Sequence, residues 1–393
     1  MHSIEASGEQ ADQSTAPQRA SGSRLIFADN LRTALVILVV LHHLSVIYAA
    51  NIGFYYVEPA YSQVLALLLL VIFQLLNQAY LMGFFFLLSG YFTPGSFERK
   101  GLRVFIKDRL IRLGIPLLVF MFVLDPLTFF IGVPHIEASL LANARITLPL
   151  TWQDYFRFIS PGPLWFVAML LIFHIAYAVW RVATRNRPAR SANDLSLPSY
   201  RMIVVYVLVL ALASYLVRIV VPIATYVLSF PSLGYLPQYL SFFAIGIIAY
   251  RRNWLRTIPS RMGKLGFGVA LIATLTLFPV ALQGGADFLG GGFWQSGVYA
   301  LWDSTFAVGM VLGLITLFRR RFNYPSRLSR FLSQHSYTVF VIHIPVIVSL
   351  AVAMQGIHLY QLFKFGLVAV IGVPLCFGAA YLVRRIPLAD RVL

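Results

Sequence analysis

The chain has 393 residues, of which 59% are hydrophobic and only 11% are charged. A soluble domain carries about twice that charged fraction, and the apolar residues here form blocks long enough to cross a bilayer, so a water-soluble fold is excluded. The blocks are also far longer than the alternating segments of a membrane β-barrel. The single cysteine, Cys376, excludes an internal disulfide. The predicted fold class is therefore all-α, a polytopic membrane helix bundle.

The apolar blocks predict about ten transmembrane helices. Residues 1–23 are rich in Ser, Ala, Gln and Gly, lack a signal-peptide core, and are predicted to be a disordered tail. Residues 24–386 form one membrane domain, and 387–393 form a short C-terminal tail. The predicted spans, in chain order, are 32–50, 63–90, 112–133, 163–181, 202–221, 235–250, 265–282, 298–318, 335–354 and 363–384.

The positive charge follows the predicted topology. The net charge is +17, and 27 of the 31 basic residues fall in the N-terminal tail, in alternate loops and at the C-terminus. The other side holds only Arg145, Arg157, Arg218 and Lys364. This alternation predicts a multi-pass protein of the cell (inner) membrane with both termini in the cytoplasm. Because topology explains the charge, no nucleic-acid partner is predicted.

The first span carries the most informative polar pattern. It opens with Asp29-Asn30-Leu31-Arg32, and His43 follows Arg32 by eleven residues. Eleven steps of about 100° place Arg32 and His43 on one stripe, about 16 Å apart along the axis. His42 points about 80° away from that stripe, and Asp29 is placed to pair with Arg32. A neutral His43 near mid-membrane can accept a proton; the alternative is a packed histidine bonded to a neighbouring helix.

Two elements are predicted at the cytoplasmic ends of spans two and three. The run FFFLLSGYF places Ser89 and Tyr91 near that face, and Gly90 permits close backbone approach. Arg109 and Arg112 are three residues apart and are expected to share a face, where paired guanidiniums suit the phosphates of a nucleotide-like donor. The structural alternatives are an interfacial helix end and a positive-inside anchor.

Span nine reads SYTVFVIHIP and carries Tyr337 and His343. His343 is expected about 10 Å in from the cytoplasmic end. Pro345 should loosen the helix and expose carbonyl groups that can line a cavity. The structural alternative is a kinked helix in which His343 is hydrogen-bonded to its surroundings and has no role in binding.

The outer side offers weaker candidates. Trp165 opens span four and is either a belt residue or a platform for a sugar ring. Asp303 can orient a hydroxyl or pair with another helix, with Arg218 as the candidate partner. Asp125 precedes a proline in span three, and His174 is treated as structural. The chain has no HExxH, CxxC, Walker or GxSxG pattern, so no metal site, ATP-driven transport or serine-hydrolase elbow is predicted.

Taken together, these stretches resemble the acyltransferase-3 family of integral-membrane O-acyltransferases. The elements that carry the resemblance are DNLR with His43 eleven positions after Arg32, FFLLSGYF, the Arg109/Arg112 pair before Ile115-Pro116, and SYTVFVIHIP. Ten spans with both ends cytoplasmic is also the arrangement of that family. HLSVIYA, SGYF and RLIRLGIP are most similar to the periplasmic-glucan succinyltransferase branch.

The resemblance implies transfer of an acetyl or succinyl group from cytoplasmic acyl-CoA to a hydroxyl of an extracytoplasmic carbohydrate or glycan. Acyl-CoA is then a co-substrate, and no cofactor stays bound. His43 acts as a general base or as an acyl-His nucleophile. The implied roles of the other residues are catalytic support for Arg32 and Asp29, donor binding for Arg109, Arg112, Ser89, Tyr91, Tyr337 and His343, and acceptor binding for Trp165 and Asp303.

Two other classes of protein remain open from the residues alone. A proton-coupled secondary transporter or flippase could use His43 and Asp303, although its usual internal repeats are not evident in the sequence. A non-catalytic membrane sensor or scaffold is the second alternative.

Overall fold

The computed structural model describes residues 25–49, 54–58, 60, 62–143, 146–184, 197–227, 229–231 and 233–393. The predicted disordered tail and Arg145 lie outside these residues. The α-helices of the described chain are α1 (Ile26–Tyr48), α2 (Val64–Arg109), α3 (Ile115–Val119), α4 (Asp125–Gly132), α5 (Ala138–Asn143), α6 (Asp154–Arg157), α7 (Trp165–Ala183), α8 (Tyr200–Val220), α9 (Leu236–Arg251), α10 (Trp254–Thr257), α11 (Ser260–Leu282), α12 (Trp294–Arg321), α13 (Arg327–Ala353), α14 (Gln361–Val383) and α15 (Ala389–Val392).

Nine helical segments of the described chain are long and apolar enough to cross a membrane. The longest, Val64–His135, covers the predicted second and third spans. It is broken at Gly101, where φ is 69° and ψ is 171°. The rings of Phe97 and Phe105 are 5.4 Å apart, whereas eight residues of straight helix rise about 12 Å. The chain therefore bends sharply at Gly101, and the two arms beside it correspond to two of the predicted spans.

The centre of the bundle is formed by α1 and α13. In the most apolar 18-residue stretch of each of these helices, 61% of the residues are buried, against 22% in the peripheral α8. Thr33 of α1 and Ser336 of α13 join their hydroxyls at 3.0 Å. His43 of α1 lies inside the bundle and not on the lipid surface, because its ring contacts the rings of Phe54 and His343.

The arm after Gly101 contains π-helical turns at Leu110–Gly114 and Phe120–Leu124. A proline follows each turn closely, at Pro116 and Pro126. Proline lacks an N–H group and clashes with the carbonyl four residues earlier, which favours a widened turn. The sequence predicted one span here with a polar break at Asp125-Pro126, but it did not predict the π-helical turns.

Tyrosine hydroxyls satisfy the carbonyl groups that these prolines leave free. Pro116 leaves the carbonyl of Arg112, and the Tyr337 hydroxyl donates to that oxygen at 2.6 Å. In the same way the Tyr155 hydroxyl donates to the carbonyl of Phe122, four residues before Pro126. Bonds of this kind allow proline inside a membrane helix, and the first of them ties α13 to the start of the third span.

Side-chain contacts define the two ends of the bundle. At one end, Asn30 donates to the carbonyl of Phe322 at 2.7 Å, and Arg319 donates to the carbonyl of Leu255 at 3.1 Å. We call this end, which also holds Arg32 and Arg112, the basic face. The other end, where Lys364 pairs with Glu58, is called the opposite face.

The close approach predicted at Gly90 is present between α2 and α9. A Cβ atom at Gly90 would lie 2.1 Å from the carbonyl oxygen of Phe243. Gly246 has the reciprocal arrangement, since a Cβ there would lie 2.2 Å from the carbonyl oxygen of Leu87. Small residues on both helices therefore bring the two backbones into direct contact.

Candidate active site

Helix α1 holds Arg32 and His43 as the sequence predicted. The helix is continuous from Ile26 to Tyr48, so the axial separation of about 16 Å applies. The predicted pair is also present, because Arg32 Nη2 contacts Asp29 Oδ1 at 2.9 Å. The side chain of Arg32 is still 44% exposed. Its guanidinium therefore remains open to a ligand at the basic face.

His43 meets a second histidine, which the sequence did not predict as its neighbour. His343 of α13 is fully buried, and its Nε2 atom lies 3.0 Å from Nδ1 of His43. The ring centroids are 4.9 Å apart. The sequence analysis placed His343 along the donor path, whereas the structure places it directly against the candidate base.

Backbone carbonyls determine where the protons of this pair lie. Nδ1 of His343 is 2.8 Å from the carbonyl oxygen of Phe340, and Nδ1 of His43 is 3.0 Å from that of Val39. Carbonyl oxygens only accept hydrogen bonds, so both Nδ1 atoms carry hydrogen when the rings are neutral. His343 Nε2 is then an acceptor for the shared His43 Nδ1–H. Nε2 of His43 keeps its lone pair and is the nitrogen left for a substrate.

An aromatic residue of the loop before α2 covers His43. The ring of Phe54 is stacked on that of His43, with centroids 5.9 Å apart and an interplanar angle of 11°. The hydroxyl of the next residue, Tyr55, donates to the buried carboxylate of Asp125. Asp125 also accepts from the backbone N–H of Ser160 at 3.1 Å and from its hydroxyl at 2.8 Å. Asp125 therefore fixes this loop above the histidine pair.

A cavity of about 40 Å³ adjoins His43. Its walls come from α1, α2, α7 and α13, and its lining residues are Val39, His42, His43, Asn77, Gln78, Leu81, Met82, Pro163, Trp165 and Phe340. The volume is enough for a few water molecules. His42 also lines this cavity, although it points about 80° away from the stripe of Arg32 and His43. The cavity therefore extends around more of the surface of α1 than that one stripe.

The predicted acceptor residues Trp165 and Asp303 are separated in the structure. Trp165 lines the cavity, whereas Asp303 is not among the described residues around it. Asp303 pairs with Arg218, the predicted partner, at 2.5 Å, with both side chains at most 1% exposed. The Arg218 guanidinium also lies 4.6 Å from the ring centre of Tyr235. Asp303 is occupied by this contact and does not reach the cavity.

Arg109 and Arg112 do not form the matched pair that the sequence predicted. Arg109 is half-buried, with its guanidinium 5.0 Å from the ring centre of Phe105. The side chain of Arg112 is 59% exposed and contacts Asp108 at 3.3 Å. The reason is the π-helical turn that begins at Leu110, since a wider turn rotates Arg112 away from the α-helical direction.

The remaining donor-side candidates lie away from the described lining of the cavity. The carbonyl of Ser89 accepts from the Thr93 hydroxyl at 2.6 Å. Tyr91 is buried against Tyr250, with ring centroids 5.7 Å apart. Tyr337 contacts the backbone of Arg112, as described above. Over the described residues, no group of three or more His, Cys, Asp or Glu side chains is placed to hold a metal ion.

The chain is similar to known proteins over nearly its whole length. A family model described as an acyltransferase domain matches residues 25–385. Two relatives named glucans biosynthesis protein C, from Escherichia coli K12 and E. coli O6:K15:H31, are each 25% identical over 389 residues, which covers 93% of both chains. The protein of that name from Salmonella paratyphi B is 24% identical over 381 residues.

No solved structure is significantly similar to the chain. The family match covers nearly all described helices, including the one that carries Arg32 and His43. It supports an acyltransferase over the sensor and transporter alternatives. The chain is a multi-pass membrane acyltransferase and belongs to the acyltransferase-3 family.

Proposed function

We propose that this acyltransferase moves an acetyl or succinyl group from cytoplasmic acyl-CoA to a hydroxyl of an extracytoplasmic carbohydrate. The observation that carries the proposal is the His43–His343 pair beside a cavity inside the bundle. The family supplies the acyl-transfer chemistry. The relatives' name refers to glucans, which supports a carbohydrate acceptor.

In the proposed reaction, His43 is the general base. Its Nε2 atom takes the proton of the acceptor hydroxyl while the oxygen attacks the thioester carbonyl. The new C–O ester bond forms, the C–S bond breaks, and the leaving thiolate takes the proton from the imidazolium. His343 accepts from His43 Nδ1 throughout and so keeps the ring in the required tautomer. An acyl-His43 intermediate is the alternative route.

The proposed direction follows from the charge of the two ends. The basic face is assigned to the cytoplasm of a cell with an inner membrane, with both termini on that side. Arg32, supported by Asp29, would meet the donor phosphates together with Arg109 and Arg112. The gap of about 16 Å between Arg32 and His43 would be crossed by the extended arm of the donor, leaving its nucleotide at the surface. Ser89, Tyr91 and Tyr337 belong to the donor side of this proposal, and the donor leaves after each turnover.

The proposal is tested with purified protein, radiolabelled acetyl-CoA or succinyl-CoA, and neutral glucan fragments. Wild type should form labelled glycan, and His43→Ala should abolish its formation. His42→Ala is the matched control, because His42 lines the same cavity but has no described hydrogen-bond partner at Nδ1. We expect the control to keep most of the activity. Equal product from wild type and His43→Ala would refute the assignment of the base.

A vesicle experiment tests the direction. Protein is reconstituted in one orientation, as checked by protease access to the terminal segments. Acyl-CoA supplied at the basic face should label glycan at the opposite face. Labelling only when both substrates share one compartment would contradict transfer across the bilayer.

A further inference from the structure

Two amide side chains form one wall of the His43 cavity. Asn77 and Gln78 of α2 line it, and Asn77 is only 4% exposed. Gln74 lies three to four residues earlier on the same helical face, one turn nearer the opposite face. We call Gln74, Asn77 and Gln78 the amide stripe. Polar residues inside a membrane helix are rare, and this stripe extends from the cavity toward the opposite face.

Asn77 and Gln74 form no described side-chain hydrogen bond to a second helix. Asn77 Nδ2 donates to the Phe73 carbonyl of its own helix at 3.0 Å, and Gln78 Nε2 donates to the Tyr239 hydroxyl of α9 at 3.4 Å. Nε2 of Gln74 is buried with no hydrogen-bond partner in the described structure. Gln238 of α9 differs in that its Nε2 donates to the Ala79 carbonyl of α2 at 2.8 Å, although its Oε1 is also buried with no described partner. Joining helices is therefore an adequate explanation for Gln238 but not for Asn77 and Gln74.

Half of the described lining residues are apolar, and none of the polar ones carries a fixed charge. Its described lining contains two histidines, two amides and Trp165, and no Asp, Glu, Lys or Arg. Amide groups both donate and accept, so they complement hydroxyl groups, which do the same. A site without a cation offers nothing to neutralise a phosphate or carboxylate inside the bundle. The lining therefore fits a neutral polyhydroxyl compound.

We propose that Asn77 and Gln78 bind hydroxyl groups of a neutral sugar acceptor beside His43, and that Gln74 begins its path from the opposite face. This inference rests on the proposed function and specifies the acceptor. A cavity of about 40 Å³ is too small for a sugar ring, so the acceptor inserts one hydroxyl-bearing edge. Trp165 provides an apolar surface for the rest of that edge.

The test uses Asn77→Leu and Gln78→Leu, with Gln238→Leu as the matched amide control. Transfer from acetyl-CoA and from succinyl-CoA is measured against neutral gluco-oligosaccharides and against the same oligosaccharides carrying one phosphate. With the donor that wild type uses, each stripe variant should raise the KM for the neutral acceptor about tenfold and leave the KM for that donor unchanged. Gln238→Leu should lower the Tm and leave the acceptor KM unchanged. Wild type should prefer the neutral acceptor.

The inference is overturned if both stripe variants fold and keep the wild-type KM for the acceptor. It is also overturned if Gln238→Leu raises that KM equally, or if wild type prefers the phosphorylated acceptor. Binding of radiolabelled oligosaccharide to the inactive His43→Ala variant provides a second measurement. Adding Gln78→Leu should weaken that binding about tenfold. If wild type transfers the acyl group but Gln78→Leu leaves oligosaccharide binding unchanged, this inference alone is refuted. If wild type transfers no acyl group at all, the proposed function is refuted.

Discussion

Replacing His343 tests the histidine pair most directly. In the ground state His343 Nε2 accepts from a neutral imidazole, and such a bond contributes about 0.5–1.5 kcal/mol. In the transition state His43 gains a proton, and a bond to a charged donor contributes about 1.5–3 kcal/mol. The difference of about 1–1.5 kcal/mol corresponds to roughly tenfold in kcat. We therefore expect His343→Leu to lower kcat about tenfold.

A much larger loss is not expected, because His43 Nδ1 also lies 3.0 Å from the Val39 carbonyl. That oxygen still holds the tautomer of His43 when His343 is absent. In Ser-His-Asp triads, by contrast, replacing the orienting aspartate lowers kcat by about 10⁴-fold. His343→Gln should restore most of the activity, since its amide oxygen can take the position of Nε2. A structural role alone would not distinguish glutamine from leucine in this way.

The assay measures kcat with both substrates saturating and monitors unfolding by Tm in detergent. His174→Leu is the control, because His174 is a buried histidine of α7 that is absent from the described lining of the cavity. It should change the Tm without a selective loss of kcat. The reasoning is refuted if folded His343→Leu keeps the wild-type kcat, or if leucine and glutamine variants are equally impaired.

Three further predictions concern the rest of the bundle. Gly90→Val should prevent stable folding, because a Cβ would lie 2.1 Å from a backbone oxygen, and a well-folded variant in size-exclusion chromatography would contradict the packing described. Arg218→Met should destabilise by about 3–5 kcal/mol by leaving Asp303 buried and unpaired, whereas Arg218→Met with Asp303→Leu should recover much of that loss in denaturant unfolding. Arg112→Gln should raise the KM for acyl-CoA more than Arg109→Gln, since the Arg112 guanidinium is the more exposed of the two and Arg109 lies over the Phe105 ring; a selective effect of Arg109→Gln would contradict these donor contacts.

The sequence predicted most of the fold because hydropathy and helical period are local properties. The number of crossing arms, the continuous helix with Arg32 and His43, and the Asp29–Arg32 contact all depend on residues close together in the chain. The Gly90 contact was also predicted, since only a small residue permits it. The break at Gly101 lies in the loop predicted between spans two and three, but its sharp bend was missed because one glycine among basic residues gives no measure of the angle.

The partners of the site residues could not be read in the same way. Asp303 has the same appearance in a sequence whether it faces a ligand or, as here, a buried Arg218. Arg109 and Arg112 diverge because a proline-associated π-helical turn changes the local rotation, while the prediction assumed an α-helix throughout. Local patterns give the residue types available, and the geometry of the turn decides where they point.

By itself, the sequence determined that this is a helical membrane protein with an Arg-to-His stripe in its first span. Only the tertiary structure brought His343 to His43 across 300 positions and placed the amide stripe beside them. The physical reason is that periodicity defines which residues share a face of one helix. Which faces meet is decided by packing among helices far apart in the chain, and no local pattern encodes that choice.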